Sequence, residues 1–357
     1  MTNSYTLIEK LQIRGELAKQ EWEQLLIILF HPDSDLLFLE QTARRIQSIH
    51  YGKRVYLRAL LEISNYCPNQ CKYCGISSWN TNIERYRMES DTILSTVEYA
   101  YGLGYRSFVL QGGEDPYFTD EVVVRLIKAL KLIHPDIALA LSLGERSEDS
   151  YRAIYEAGVD RYLLRHETAN EQLYAQLHPN MSFQKRVDAL YSLKKIGFQT
   201  GSGFLVGLPG ATAESYATDF IFLQDLQAEM IGIGPFIPHH RTPMAKETAG
   251  SIREVKILIA LIRIAFPNAL IPATTALGTL DPRSRYEAIS MGANVLMPNI
   301  TPYEDRKRYT LYDGKRISED ESATEVDTIR DLCQLYGMEV SLSRGDHNQF
   351  TTHENRN

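Results

Sequence analysis

The sequence predicts an α/β fold, a (β/α)8 barrel behind an N-terminal helical extension. Three observations carry this. Eight short β-rich apolar runs alternate with amphipathic segments. The chain's 357 residues suit a barrel built as one unit. Nearly every apolar run ends in polar or glycine-rich residues, as expected where strand ends build one mouth.

Residues 5–49 read as helices by their apolar spacing, for example Leu25, Leu26, Leu29 and Phe30 after Glu21 and Trp22. The strand candidates follow at 55–64, 107–113, 137–144, 161–167, 199–209, 230–238, 269–278 and 294–301. Helical patterns lie between them at 90–103, 119–134, 183–196, 212–227 and 251–266. The expected organisation is a helical extension over 1–50, a barrel over 51–345 and a polar tail over 346–357. The final "SRGDHNQFTTHENRN" is expected to be frayed. An open doubly wound sheet is the competing α/β architecture.

The formal net charge of −7 gives no broad basic surface for nucleic acid. The charged, amphipathic N-terminus lacks a signal-peptide pattern, and no long apolar run predicts a membrane span. A cytoplasmic protein is expected.

Three of the four cysteines fall in "NYCPNQCKYCG", as Cys67, Cys71 and Cys74. Clustered thiolates in a reducing compartment point to a metal rather than to disulfides. Zinc needs a fourth ligand, which Cys333 or a histidine would have to bring from a distance. An iron–sulfur cube with three protein ligands leaves one iron open to a substrate or cofactor.

The strand ends supply further groups. "QGGEDP" places Gly112 and Gly113 where backbone N–H groups approach a ligand closely. Glu145, after the third strand, is placed to accept from hydroxyls. Arg165 and Glu167 lie two apart on the fourth strand and so face one side, Arg165 to pair with a carboxylate and Glu167 to take a hydroxyl or an ammonium, or the two as a structural ion pair. "GIGPF" brings backbone close to a flat base, and Thr274 and Thr275 offer hydroxyls to an anion. His166 points away from Arg165, toward the helix layer. His239 and His240 sit in a loop and are weaker metal candidates.

The spacing C-x3-C-x2-C, with Tyr73 before the last cysteine, resembles the signature of radical S-adenosylmethionine (SAM) enzymes. "ERYRM", "FVLQGGEDPY", "DRYLLRHETAN", "GIGPFIPH", "IPATTALGT" and "GANVLMPN" occur in order over roughly residues 50–315. Together they resemble the HydE-type iron–iron hydrogenase maturases. Biotin synthase and methylornithine synthase share the layout but resemble these segments less closely. The resemblance implies a barrel of radical SAM type with one 4Fe-4S cluster on Cys67, Cys71 and Cys74. It implies SAM held among Tyr73, Gly112, Gly113, Glu114, Ser142, Glu145, Arg165, Glu167 and Gly234. Thr274, Thr275, Met297, Tyr309 and Tyr312 would line the substrate end. It further implies a role in assembling the hydrogenase H-cluster on an iron–carbonyl–cyanide–cysteine-type or thiol substrate. Transient contact with the maturases HydG and HydF would follow, with ferredoxin or flavodoxin as electron donor. A mutase or lyase on another small amino acid, and a non-catalytic metal-binding scaffold, are the alternatives. Some members carry cysteines for a second cluster after the eighth strand. Residues 310–330 contain none, so a single cluster is expected, with Cys333 a core residue.

Overall fold

The computed structural model describes residues 3–315 and 326–350. The first stave is two strands, β1 (Arg54–Leu57) and β2 (Ala59–Ser64), followed by β3 (Ser107–Gly112), β4 (Ala138–Ser142) and β5 (Arg161–Leu163). The fifth stave is β6 (Gln199–Ser202) with β7 (Leu205–Val206), and the sixth is β8 (Met230–Ile231) with β9 (Gly234–Pro235). The last strands are β10 (Val295–Leu296) and β11 (Glu339–Ser341). A six-stranded parallel sheet runs β2-β3-β4-β5-β6-β8. Single parallel bridges continue it, Met230 to Leu270 and Pro272 to Val295, and β10 pairs with β1. The succession of parallel pairings thus runs full circle through eight staves.

Helices Ser90–Gly102, Asp120–Ile133, Phe183–Ile196, Ala213–Leu226 and Ile252–Ala265 lie where the periodicity places them. Side chains of Thr119, Ser182, Thr212 and Ser251 cap the last four by accepting from backbone N–H groups. The extension forms three helices, Ser4–Arg14, Lys19–Phe30 and Leu37–Tyr51. Trp22 is fully buried, stacks on Phe220 at 4.0 Å and donates to Gln224 Oε1 at 2.6 Å. That packs the extension onto the barrel's outer helix layer. Cys333 is fully buried on helix Val326–Leu335. No described helix is long and apolar enough to cross a membrane.

Several strands are shorter than their apolar runs. The first breaks at Arg58, and the fifth breaks at Gly203, where a Cβ would collide with the Gly232 carbonyl. The run 269–278 is not a strand. Pro272 has no N–H for a ladder, and a helix occupies Thr275–Leu280. Thr274 and Thr275, placed by the sequence within this strand candidate, are the helix's cap position and first residue.

The polar stretch from Ser343 is not frayed as far as Phe350. It corks the base of the barrel beside β11, which pairs with β1. Asp346 Oδ1 accepts from Arg161 Nη2 at 2.7 Å and from Gln199 Nε2 at 2.8 Å. Arg344 Nη2 donates to Asp160 Oδ1 at 2.7 Å, and Arg58 reaches the Gly345 carbonyl. Arg161 and Arg58 are buried, so this short segment supplies their counter-charge. Residues 351–357 lie outside the described ones.

At the other end, register builds the site in layers. Leu60, Val109 and Ala140 face inward beside Met297 as an apolar floor. Two residues on, Glu62, Gln111 and Ser142 form a polar layer below the cysteine loop.

Candidate active site

The loop that carries the cysteines is tied from several directions. Asn65 Nδ2 donates to the carbonyls of Glu84 (2.9 Å) and Arg308 (2.7 Å). Arg85, of "ERYRM", donates to the carbonyls of Asn65, Ile76 (2.6 Å), Ser77 (3.0 Å) and Asn80 (3.3 Å). Its guanidinium thereby staples both ends of the loop. Gly113 packs beneath, where a Cβ would lie 2.7 Å from that of Cys67 and collide with the Tyr66 carbonyl. The next turn is held by Asp115, which accepts from Ser64 Oγ at 2.6 Å and from Arg87 at 2.7 and 2.9 Å.

Cys67, Cys71 and Cys74 all line one cavity of about 320 Å³. Burial raises all three thiols, Cys74 to about 12; neighbouring cysteines add to the shift of Cys71 and Cys74, and Glu114 adds to that of Cys67. Three thiolates become stable together here only with a cationic metal centre among them. The donor set fits a thiolate-ligated cluster.

The cavity gathers nearly every residue singled out above: Tyr73, Gly112, Gly113, Glu114, Ser142, Arg165, Glu167, Gly234, Thr274, Thr275, Met297, Tyr309 and Tyr312. Glu145 does not line it. Its carboxylate accepts from Arg186 Nε at 2.6 Å, and Arg186 faces the cavity in its place.

Arg165 and Glu167 do lie side by side, with Nε to Oε1 at 3.3 Å, but strand alternation is not the cause. β5 ends at Leu163, and Glu167 adopts left-handed backbone at φ 65°. A non-glycine residue held there costs about 1–3 kcal/mol, and such strain clusters at functional sites. Glu167 Oε2 and Thr274 Oγ1 are buried with no hydrogen-bond partner among the described residues. Both belong to residues of the cavity wall, and buried polar atoms of this kind call for a ligand.

Tyr73 Oη lies 3.0 Å from His178 Nε2. His178 Nδ1 contacts the Tyr174 carbonyl at 3.1 Å, so Nδ1 carries the proton and Nε2 accepts from tyrosine. Burial holds His178 down at about 4, which keeps the ring neutral in this role. Burial also raises the Glu114 carboxyl, which accepts from the Glu145 N–H at 3.1 Å. Thr275 Oγ1 meets Tyr312 Oη at 3.3 Å, and Gln111 Nε2 donates to Tyr309 Oη at 3.3 Å.

Sequence reasoning missed Glu62, Lys315, Arg186 and His178. Lys315 Nζ pairs with Glu62 Oε1 at 2.6 Å in the wall, both nearly buried. The available signal was a carboxylate inside the apolar run "ALLEIS". Arg186 and His178 come from the segment between the fourth and fifth staves, away from any strand end. His166 packs into the helix layer, 2.9 Å from Ser202 Oγ and 3.3 Å from Asp219. His239 and His240 meet Asp313, with His240 Nδ1 2.6 Å from its Oδ1. The Arg241 N–H donates to His239 Nδ1 at 3.1 Å, which leaves the proton on Nε2, 4.0 Å from Asp313 Oδ1, and a protonated nitrogen is not a metal ligand.

Residues 61–222 match the Radical SAM superfamily. The chain is 40% identical over 331 residues to the FeFe hydrogenase maturase subunit HydE of Thermotoga maritima, covering 93% of this chain and 94% of that one. It belongs to the HydE family of radical SAM proteins. As a HydE-family member it is a SAM-dependent iron–sulfur enzyme. The crystal structure of methylornithine synthase (PylB) superposes with a TM-score of 0.80 at 25% identity, covering 94% of this chain and 97% of that one. The crystal structure of HydG, a maturase of the FeFe-hydrogenase, has a TM-score of 0.78 at 24% identity, covering 95% and 76%. Both place the HydE-family chain in the radical SAM barrel fold.

Proposed function

We propose that this enzyme acts in assembly of the FeFe-hydrogenase H-cluster, on a small iron–carbonyl–cyanide–cysteine-type or thiol substrate bound in the barrel. The observation that carries this is the 40% identity to HydE across nearly the whole chain, joined to a cavity that collects the three cysteines and their complement. When bound, the cluster supplies the electron that cleaves SAM to methionine and a 5′-deoxyadenosyl radical.

The chain's own residues divide the work. Cys67, Cys71 and Cys74 hold the cluster. Gly112, Gly113 and Glu114 take the methionyl ammonium, and Arg165 takes the carboxylate. Ser142 and Glu167 receive hydroxyls of the nucleoside, with Tyr73 and Gly234 against its flat parts. Arg186, rather than Glu145, faces the nucleoside directly. Thr274, Thr275, Met297, Tyr309 and Tyr312 enclose the substrate, and the wall keeps water from the reacting atoms. HydG and HydF are the maturases expected to meet the enzyme transiently, with ferredoxin or flavodoxin as electron donor.

Complementation tests the reading. A strain lacking its own HydE should regain hydrogenase activity when given this chain. Failure to do so with well-expressed, cluster-loaded protein sinks the assignment and favours a reaction on another small amino acid, the reading that the PylB likeness supports.

Two narrower outcomes follow. Arg165→Ala should weaken SAM binding about tenfold to a hundredfold, the cost of a lost charge-assisted hydrogen bond, with the cluster spectrum intact. Loss of the spectrum as well would make Arg165 structural. Iron analysis of reconstituted protein should give about four irons per chain, as one 4Fe-4S cluster requires. A value well above that would reveal a second cluster.

A further inference from the structure

SAM brings one ammonium, one carboxylate and one sulfonium. In the proposed scheme Gly112, Gly113 and Glu114 take the first and Arg165 the second. The ionic side chains of the cavity wall exceed that need. Arg165 lies against Glu167, and Arg186 is held by Glu145. A further pair, Lys315 with Glu62, stands in the same wall and has no part in that scheme.

Its place is the substrate end. Glu62 belongs to the polar layer directly above the floor of Leu60 and Met297, beside Gln111 in register. Gln111 Nε2 reaches Tyr309 Oη at 3.3 Å, and Lys315 Nζ lies 4.7 Å from the centre of the Tyr309 ring. Tyr312, three residues before Lys315, meets Thr275. The pair therefore forms one corner of the space that Thr275, Tyr309 and Tyr312 enclose.

Both groups are firmly placed and incompletely used. The Glu62 N–H donates to Thr301 Oγ1 at 2.8 Å, and the Glu62 carbonyl accepts from Tyr86 Oη at 2.7 Å. Glu62 Oε1 accepts from Lys315 Nζ at 2.6 Å, but Oε2 is buried with no hydrogen-bond partner among the described residues. Lys315 Nζ donates to that carboxylate and, at 2.6 Å, to the Tyr309 carbonyl. An ammonium has three N–H groups, so among the described residues one is left over. Taking two charges out of water is costly, and an apolar pair of the same shape would close a wall at least as well. A spare donor beside a spare acceptor matches a ligand that presents an acceptor beside a donor. The end of an α-amino acid does so, with a carboxylate and an amino group on one carbon.

We propose that Lys315 and Glu62 form the subsite that reads the α-amino acid end of the substrate. Lys315 donates its third N–H to the carboxylate, and Glu62 Oε2 accepts from the amino group. The inference deepens the proposed function and rests on it for a second ligand in the cavity.

The test is anaerobic calorimetry on reconstituted full-length enzyme saturated with SAM. Three probes are used: L-cysteine, cysteamine, which lacks the carboxylate, and 3-mercaptopropionate, which lacks the amino group. The parent should bind L-cysteine about tenfold to a hundredfold more tightly than either, the cost of one lost charge-assisted hydrogen bond. Lys315→Met should erase the preference over cysteamine and keep that over 3-mercaptopropionate. Glu62→Gln should do the reverse. A wall that merely needs its ion pair would weaken all three probes together, and that result overturns the proposal. So does a parent that binds the three alike. Either single change leaves a lone buried charge, so the double variant Glu62→Gln with Lys315→Met, which leaves none, is measured beside them. It should lose both preferences. A double variant that keeps either one overturns the proposal even where the single variants fail to fold. A parent that binds none of the probes yet restores hydrogenase maturation ends this inference and leaves the proposed function standing. A parent that shows both preferences but fails complementation keeps the subsite and ends the maturation reading.

Discussion

Cys71→Ser is expected to abolish cleavage of SAM, leaving 5′-deoxyadenosine at the level of a protein-free control. Cys71 lines the cavity between Cys67 and Cys74, and burial holds its thiol protonated until a metal centre arrives. Thiolate is the soft ligand that an iron–sulfur cluster requires. A serine hydroxyl is harder and far less acidic, so it replaces the shape of the side chain but not its bond. The fold should survive, because the loop is held by Asn65 and Arg85 rather than by the thiols. Product chromatography and iron content therefore have to fall together while the circular dichroism spectrum stays unchanged. Wild-type product formation in this variant would remove Cys71 from the cluster.

The second large effect lies at the opposite end of the barrel and concerns stability. Asp346→Ala should destabilise the fold by about 3 kcal/mol, because it leaves buried Arg161 without its counter-ion and Arg58 in a more positive environment. Burial pushes the Asp346 carboxyl upward, but Arg161 and Arg344 outweigh it and hold the group at about 2, below its ordinary 3.8. The sign of the pH dependence follows. Stability from this group is fully present above pH 3.8 and is lost as pH falls through about 2. The shift corresponds to about 2 kcal/mol, so parent and variant should converge in acid. Urea titrations at neutral pH and near pH 2.5 measure both, with exposed Asp188→Asn as a control that should stay within about 0.5 kcal/mol. An unchanged midpoint in Asp346→Ala would show that the cork is decorative.

These two sites differ in how far the sequence revealed them. The three cysteines were legible because metal ligation imposes a spacing within one loop. The barrel was legible because apolar runs and capped helices alternate, and Thr119, Ser182, Thr212 and Ser251 mark helix starts by local chemistry. Strand extents were not legible. Several staves break part-way and resume in short ladders beyond the break, as at Gly203 and Gly232 before Leu205–Val206 pairs with Gly234–Pro235, while the composition stays β-like. Thr274 and Thr275 misled for the related reason that a threonine at a helix start and one in a strand look alike. Arg165 and Glu167 were placed together for the wrong cause, since a left-handed backbone aligns them. Pairings across the chain left little local trace beyond the carboxylate inside "ALLEIS". Lys315 reaches Glu62 from 253 positions away, and Asp346 reaches Arg161 from 185, in a stretch whose polarity suggested fraying.

The account stands or falls on whether the open position of the cysteine cluster activates SAM. The direct measurement is anaerobic: the chain is reconstituted with iron and sulfide, mixed with SAM and dithionite, and its products are quantified. The account predicts 5′-deoxyadenosine and methionine in equal amounts, from protein whose reduced-cluster resonance shifts when SAM is added. Protein that binds zinc in place of iron, with no 5′-deoxyadenosine formed, would contradict it.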